Sequence, residues 1–277
     1  MCRLIGAISS TKMDFQNFLS TSAQSLLRQS DIDRRRQQGD GWGIGYFDHG
    51  RPKIIKSPRA MYHDRKRVSR AAVKAKGNTL IGHVRWASNP LKLKRSELIG
   101  RVHTQPFTHR KWIFAHNGTL YIPKEVAAHL GPWKRHIRGK NDSEVLFYWM
   151  MKHLLRTKNP AQAIRQSIRG IHRIWDSCKK SYPIHPFPYH GLNWVLTDGQ
   201  ALLAFCYTDP RGFGKSKALC DRRDRYYQLR RKITPESAII ASEPLDKGTG
   251  WVGFHHGELL LAKRHGKRVL TRTVRVL

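Results

Sequence analysis

The sequence predicts a layered α+β domain with sheets packed face to face. Two observations point there. Strand-length apolar segments open the chain, amphipathic helical segments fill its middle, and short strands dominate again from residue 192 onward. No repeat, low-complexity tract or linker-like composition interrupts the 277 residues, so residues 1–277 read as one domain able to bury a sizeable core.

Each element has its own signal. Residues 2–9 read as a buried strand. Residues 15–27 carry Phe15, Phe18, Leu19, Ala23, Leu26 and Leu27 along one helical face. The turn Gly39-Asp40-Gly41 leads into a strand over 42–47, whose Gly43 and Gly45 suggest a bulge or a close backbone approach. A helix over 65–76, extended chain over 79–86 and a strand over 112–116 follow. Asn141-Asp142-Ser143-Glu144 resembles a helix start before 145–155, and Pro160 opens a second helix reaching about Trp175. Three prolines within 183–190 mark a loop. Strands are expected over 192–197, 201–207, 238–242 and 258–262.

Composition excludes several classes. No stretch approaches the ~20 apolar residues of a membrane span, and residues 4–8 are too short for a signal peptide's apolar region. Cys2, Cys178, Cys206 and Cys220 form no CxxC pair, the 15 histidines include no HExxH, and neither metal nor cofactor is expected. Gly214-Lys215-Ser216 imitates the end of a phosphate loop, but Asp209 stands where a glycine is required. A soluble, reducing, cytoplasmic setting is the expectation. The net charge of +33 is extreme, with clusters at Arg34-Arg35-Arg36, Arg65-Lys66-Arg67 and 263–275 among others. Such charge favours nonspecific anion binding. The clusters are scattered, and no nucleic-acid-binding signature accompanies them.

Cys2 is the strongest chemical clue. If Met1 is removed, one residue carries both a thiol and a free α-amine. An α-amine has an ordinary pKa of about 8, so part of it is basic near neutrality. A thiol beside its own base is an activated nucleophile. Three other positions are ambiguous. Asn117-Gly118 follows the strand over 112–116, so it is either a tight turn or a pair of donors aimed at one oxyanion. Arg85, in mostly apolar surroundings, is either half of a structural ion pair or a clamp for a substrate carboxylate. Asp142 at a helix start is either an N-cap or a ligand-holding acid.

Taken together, Met1-Cys2-Arg3-Leu4-Ile5-Gly6, Asp40-Gly41-Trp42-Gly43-Ile44, Gly82-His83-Val84-Arg85-Trp86-Ala87, Gln105-Pro106-Phe107, His116-Asn117-Gly118 and Asn141-Asp142-Ser143-Glu144 follow the order and spacing of one family. The chain resembles the class II glutamine amidotransferases, which are N-terminal-nucleophile hydrolases. It looks most like their stand-alone, single-domain branch, which includes γ-glutamyl hydrolases of thiol metabolism. The resemblance covers nearly the whole length; Asn193-Trp194-Val195 and Ala241-Ser242-Glu243-Pro244 add to it. Two positions depart from the family pattern. Gln105 stands where related proteins often carry histidine, and Ser88-Asn89-Pro90 replaces a threonine-containing form.

The resemblance implies a four-layer αββα sandwich of two antiparallel sheets. It also implies roles: Cys2 as nucleophile with its α-amine as base, Asn117 and the Gly118 N–H as oxyanion donors, Arg85 on the substrate α-carboxylate, Asp142 on its α-ammonium, and Trp86 in the pocket wall. The expected activity is hydrolysis of the γ-amide of glutamine or a γ-glutamyl compound through a thioester, with ammonia released or passed to a separate synthase subunit. The alternative is a catalytically silent basic protein on the same fold, binding nucleic acid or an anionic surface.

Overall fold

The computed structural model describes residues 2–207, 217–220 and 226–277. Met1 and the Gly214-Lys215-Ser216 segment therefore lie outside the described residues. The first part of the chain supplies β1 (Arg3–Asp14), α1 (Leu26–Gln29), β2 (Trp42–Asp48), β3 (Arg51–Ser57), α2 (Arg65–Lys74) and β4 (Lys76–Val84). Next come α3 (Arg95–Leu98), β5 (Phe107–His109), β6 (Trp112–Leu120), α4 (Pro123–Ala128), α5 (Asp142–Thr157) and α6 (Pro160–Cys178). The last part adds β7 (Tyr189–Thr197), β8 (Ala201–Cys206), β9 (Arg230–Thr234), β10 (Ser237–Ala241), β11 (Val252–Gly253), β12 (Glu258–His265) and β13 (Arg268–Arg275).

The strands form two antiparallel sheets. One runs β11-β9-β10-β1-β4-β2-β3, the other β13-β12-β8-β7-β6-β5. Strand periodicity makes the layers. In β1, Leu4 and Ile8 face the second sheet with Ile81, Val195, Leu202 and Ile240, while Ile5 and Ala7 face a helical layer with Leu19, Val68 and Ala72. On the other side, Phe114, Trp194 and Phe205 pack against α5 and α6. Each fully buried Leu, Ile or Phe contributes about 1.5–3 kcal/mol. This is the expected four-layer α+β sandwich of two antiparallel sheets.

Three local expectations are corrected. The helix over 15–27 is two short pieces, Asn17–Thr21 and α1, because Ser22 adopts extended backbone with ψ 148° and its hydroxyl donates to the Leu245 carbonyl. Side-chain hydroxyls also compete with the helix here: Thr21 bonds Asn17 at 2.6 Å, and Ser25 caps α1. The extended segment 79–86 begins at Lys76 and stops at Val84, leaving Arg85 and Trp86 beyond the strand. Asn117 and Gly118 are neither a turn nor a strand end; β6 continues through them, pairing Asn117 with Asn193 and Gly118 with Leu192. Gly43 and Gly45 serve close approach: a Cβ on Gly43 would strike the Gln105 carbonyl, and one on Gly45 would lie 2.8 Å from Ile113 Cγ2.

Candidate active site

The candidate residues stand just before β1, just past the end of β4, within β6 and at the start of α5. Cys2 precedes the central strand β1 and is 7% exposed. Its Sγ accepts from the Trp86 N–H at 3.4 Å and donates to the Trp86 carbonyl at 3.5 Å. Burial pushes the thiol pKa up, while the Trp86 amide and the Arg85 charge pull it down and Asp142 opposes them. Sulfur, guanidinium and carboxylate therefore share one electrostatic neighbourhood.

The backbone after β4 is clamped. Arg85 N–H donates to the Gly41 carbonyl at 2.8 Å, and its own carbonyl accepts from Asp40 N–H at 2.9 Å. Asp40, given no role of its own from sequence, accepts from Ala87 N–H at 2.7 Å and pairs with Arg95 at 2.6 Å. The Arg85 side chain is 4% exposed, and its Nη1 donates to the Leu98 carbonyl at 2.7 Å. Among the described residues, no carboxylate lies within ion-pair distance of it, so the structural ion pair considered from sequence is not formed. A buried guanidinium with most donors unused is costly unless a ligand fills the gap.

Asp142 sits at the first position of α5, and the cap is Asn141, whose Oδ1 accepts from Ser143 N–H at 2.8 Å. That frees the Asp142 carboxylate, which accepts from Leu120 N–H at 2.8 Å and from the Ser88 hydroxyl at 3.2 Å. Burial raises its pKa, with the Leu120 amide and Arg85 acting against the rise.

Asn117 and Gly118 lie on β6, whose last residue adjoins the Asp142 carboxylate. Leu120, two residues beyond Gly118, supplies the N–H on Asp142, and the His116 carbonyl accepts from His83 Nε2 at 3.2 Å. Asn117 is 1% exposed and its Oδ1 has no partner; its side-chain N–H groups have no acceptor within the described protein. Gly118 is dictated by space, because a Cβ there would collide with the Gly191 carbonyl. Trp86 is 38% exposed, and its backbone N–H and carbonyl meet the thiol.

A supporting network went unread in the sequence. Gln105 accepts from His116 N–H at 2.6 Å and donates to the His116 carbonyl at 3.1 Å. His116 Nε2 donates to the Gly191 carbonyl at 3.0 Å, so its Nδ1 accepts from the Ser143 hydroxyl at 2.9 Å. Burial pulls His116 down to about 4, keeping it neutral at physiological pH. Gln105 thus does structural work where related proteins often place histidine. On the other side of Cys2, the fully buried Arg3 donates to the Cys2 carbonyl, pairs with Glu243 at 3.2 Å and covers the Tyr226 ring at 3.5 Å. Only the paired acid at Glu243, 240 residues away, could have hinted at this contact. Among the described residues, no group of histidine, cysteine or carboxylate side chains could hold a metal ion, and no helix is long and apolar enough to cross a membrane.

The model for class-II glutamine amidotransferases matches residues 1–276. Among curated proteins, the chain is 26% identical to an uncharacterized protein of Methanocaldococcus jannaschii, over 95% of this chain and 69% of that one. It is 25% identical to the γ-glutamyl-hercynylcysteine sulfoxide hydrolase of Mycobacterium tuberculosis, over 91% of this chain and 88% of that enzyme. Two solved structures share the fold. A glutamine aminotransferase class-II domain protein from Silicibacter pomeroyi superposes with TM-score 0.63 at 17% identity, covering 98% of each chain. The glutamine phosphoribosylpyrophosphate amidotransferase of B. subtilis gives 0.60 at 16% identity; this chain spans 49% of its length.

Proposed function

The chain belongs to the class-II glutamine amidotransferases and is thus an amidohydrolase-class enzyme, and we propose that it hydrolyses the γ-amide of glutamine or a γ-glutamyl compound through a thioester on Cys2. The observation that carries this reading is the gap between Arg85 and Asp142. One buried cation and one buried anion, not paired to each other, flank a buried thiol. A glutamate head is a zwitterion of matching polarity: its α-carboxylate takes the Arg85 fork and its α-ammonium takes Asp142.

With Met1 removed, the Cys2 α-amine accepts the thiol proton, directly or through water, and the sulfur attacks the γ-carbonyl. The Asn117 amide and Gly118 N–H stabilise the resulting oxyanion. The protonated amine then delivers its proton to the leaving nitrogen, ammonia or an amine departs, and water cleaves the thioester. Trp86 contributes to the pocket wall. The ammonia is released, or passed to a separate synthase subunit. The unpaired, buried Arg85 and Asn117 weigh against a silent binding protein, which would gain nothing from keeping such groups desolvated.

The mycobacterial relative, named for hydrolysis of a γ-glutamyl cysteine-derived sulfoxide, supports extending the substrate class from glutamine to larger γ-glutamyl compounds. The direct test is to confirm the processed N-terminus by mass spectrometry, then measure glutamate release from glutamine, glutathione and other γ-glutamyl amides. Release from at least one is expected; none from any, with Cys2 shown to be the free terminus, overturns the reading. In the same assay, Arg85→Lys is expected to raise KM about tenfold or more with a smaller change in kcat, because a point charge cannot replace a planar fork. An unchanged KM would remove Arg85 from substrate binding.

A further inference from the structure

A cavity of about 670 Å³ opens beside α5, which lends Glu144 and Tyr148 to its lining. Five cations line it: Lys56 from β3, Arg101 ahead of β5, Arg110 at the β5–β6 turn, and Arg135 and Arg138 before α5. The only lining carboxylate is Glu144, and it is already engaged, accepting from the Arg138 and Gly139 N–H groups at 3.1 and 2.8 Å. Among the described residues, none of the four arginine side chains has a carboxylate partner.

The deeper wall also offers donors. Lys56 is half-buried, with Nζ donating to the Thr104 carbonyl at 2.8 Å and two further N–H groups to spare. Burial pulls it down to about 8, with Arg101 and Arg138 adding to that fall and Glu144 opposing it. Tyr148 is 5% exposed, and its hydroxyl has no hydrogen-bond partner in the described protein. Its ring stacks on His136 at 5.6 Å, giving the cavity a flat side. An acceptor-rich, multiply charged group is what such a lining lacks. A single carboxylate would leave most of the cations unanswered. The concave shape and the ligand-sized volume favour a small molecule over a nucleic-acid backbone, which would reach only the exposed arginines.

We propose that this cavity binds a small molecule carrying a diphosphate group, with Lys56 and Tyr148 at its inner wall and the arginines around its mouth. The site does not depend on the reading of Cys2. Isothermal titration of the full chain with pyrophosphate and with ADP, in about 0.15 M salt to screen diffuse charge, tests it. Micromolar binding is expected. The double variant Arg101→Ala/Arg138→Ala should weaken it at least tenfold. Arg169→Ala/Arg173→Ala removes the same charge from another basic concavity, beside His153 and Asp176, and should leave binding unchanged. If the first pair loses its cooperative melt, Lys56→Met replaces it with the same expected loss. Absence of binding at millimolar ligand, equal weakening by both double variants, or tighter binding of a single-stranded RNA through the same arginines would each overturn the proposal.

Discussion

Cys2→Ala is expected to abolish glutamate release, by a factor on the order of 10⁴ or more, while the protein still folds. Without the sulfur no thioester can form, and the residual rate is what binding and oxyanion donors alone supply. The structural cost is small by comparison. The side chain makes two long contacts, both to the Trp86 backbone. The strand it precedes is held independently: Leu4 exchanges hydrogen bonds with Ser242, and Arg3 is locked between Glu243 and Tyr226. A loss of about 1 kcal/mol is the scale for one small buried group. Turnover and thermal melting, measured on one preparation, separate the two effects. Retention of full activity in the alanine variant would end the nucleophile assignment.

Asn117→Ala carries the second-largest expected effect, a fall of about 100–1,000-fold in kcat with KM nearly unchanged, the scale for one oxyanion donor. The environment makes this a clean test. Asn117 Oδ1 has no partner to lose, and the side-chain N–H groups have no protein acceptor. Truncation thus removes a group that contributes little to the folded state, and its melting temperature should stay within a few degrees of the parent. A kcat within a few-fold of the parent, in a variant that melts normally, would show that the carboxamide does not face the developing charge.

How far the site could be read before folding depends on the residue. Cys2, Arg85, Asn117 and Asp142 could be singled out as candidates because each is chemically conspicuous where it stands. The turn, ion-pair and N-cap readings weighed against them were decided only by neighbours. Asn-Gly is a strong local turn signal, yet β6 runs straight through it because Asn193 and Leu192 pair across and the Gly191 carbonyl needs the space a side chain would take. Asp142 was freed from capping by Asn141 one residue earlier. Gln105, His116 and Ser143 join across separations of 11 and 27 residues, which no local pattern encodes. The strands β3, β9 and β13 escaped notice for a different reason. Arginine and lysine occupy many of their positions, as in Arg268–Arg275, and blur the apolar alternation that marks a half-buried strand.

Local order of apolar and polar residues, acting over a few positions, was enough to determine the layers, most central strands and the two long helices. The inventory of reactive groups is likewise written in the chain. Tertiary structure alone decided which of those groups are desolvated, which remain unpaired, and which meet. Cys2 precedes β1, Arg85 follows β4, Asn117 lies within β6 and Asp142 opens α5, so sheet register governs where they stand; a slip of one residue would turn Asn117 and its strand neighbours to the opposite face.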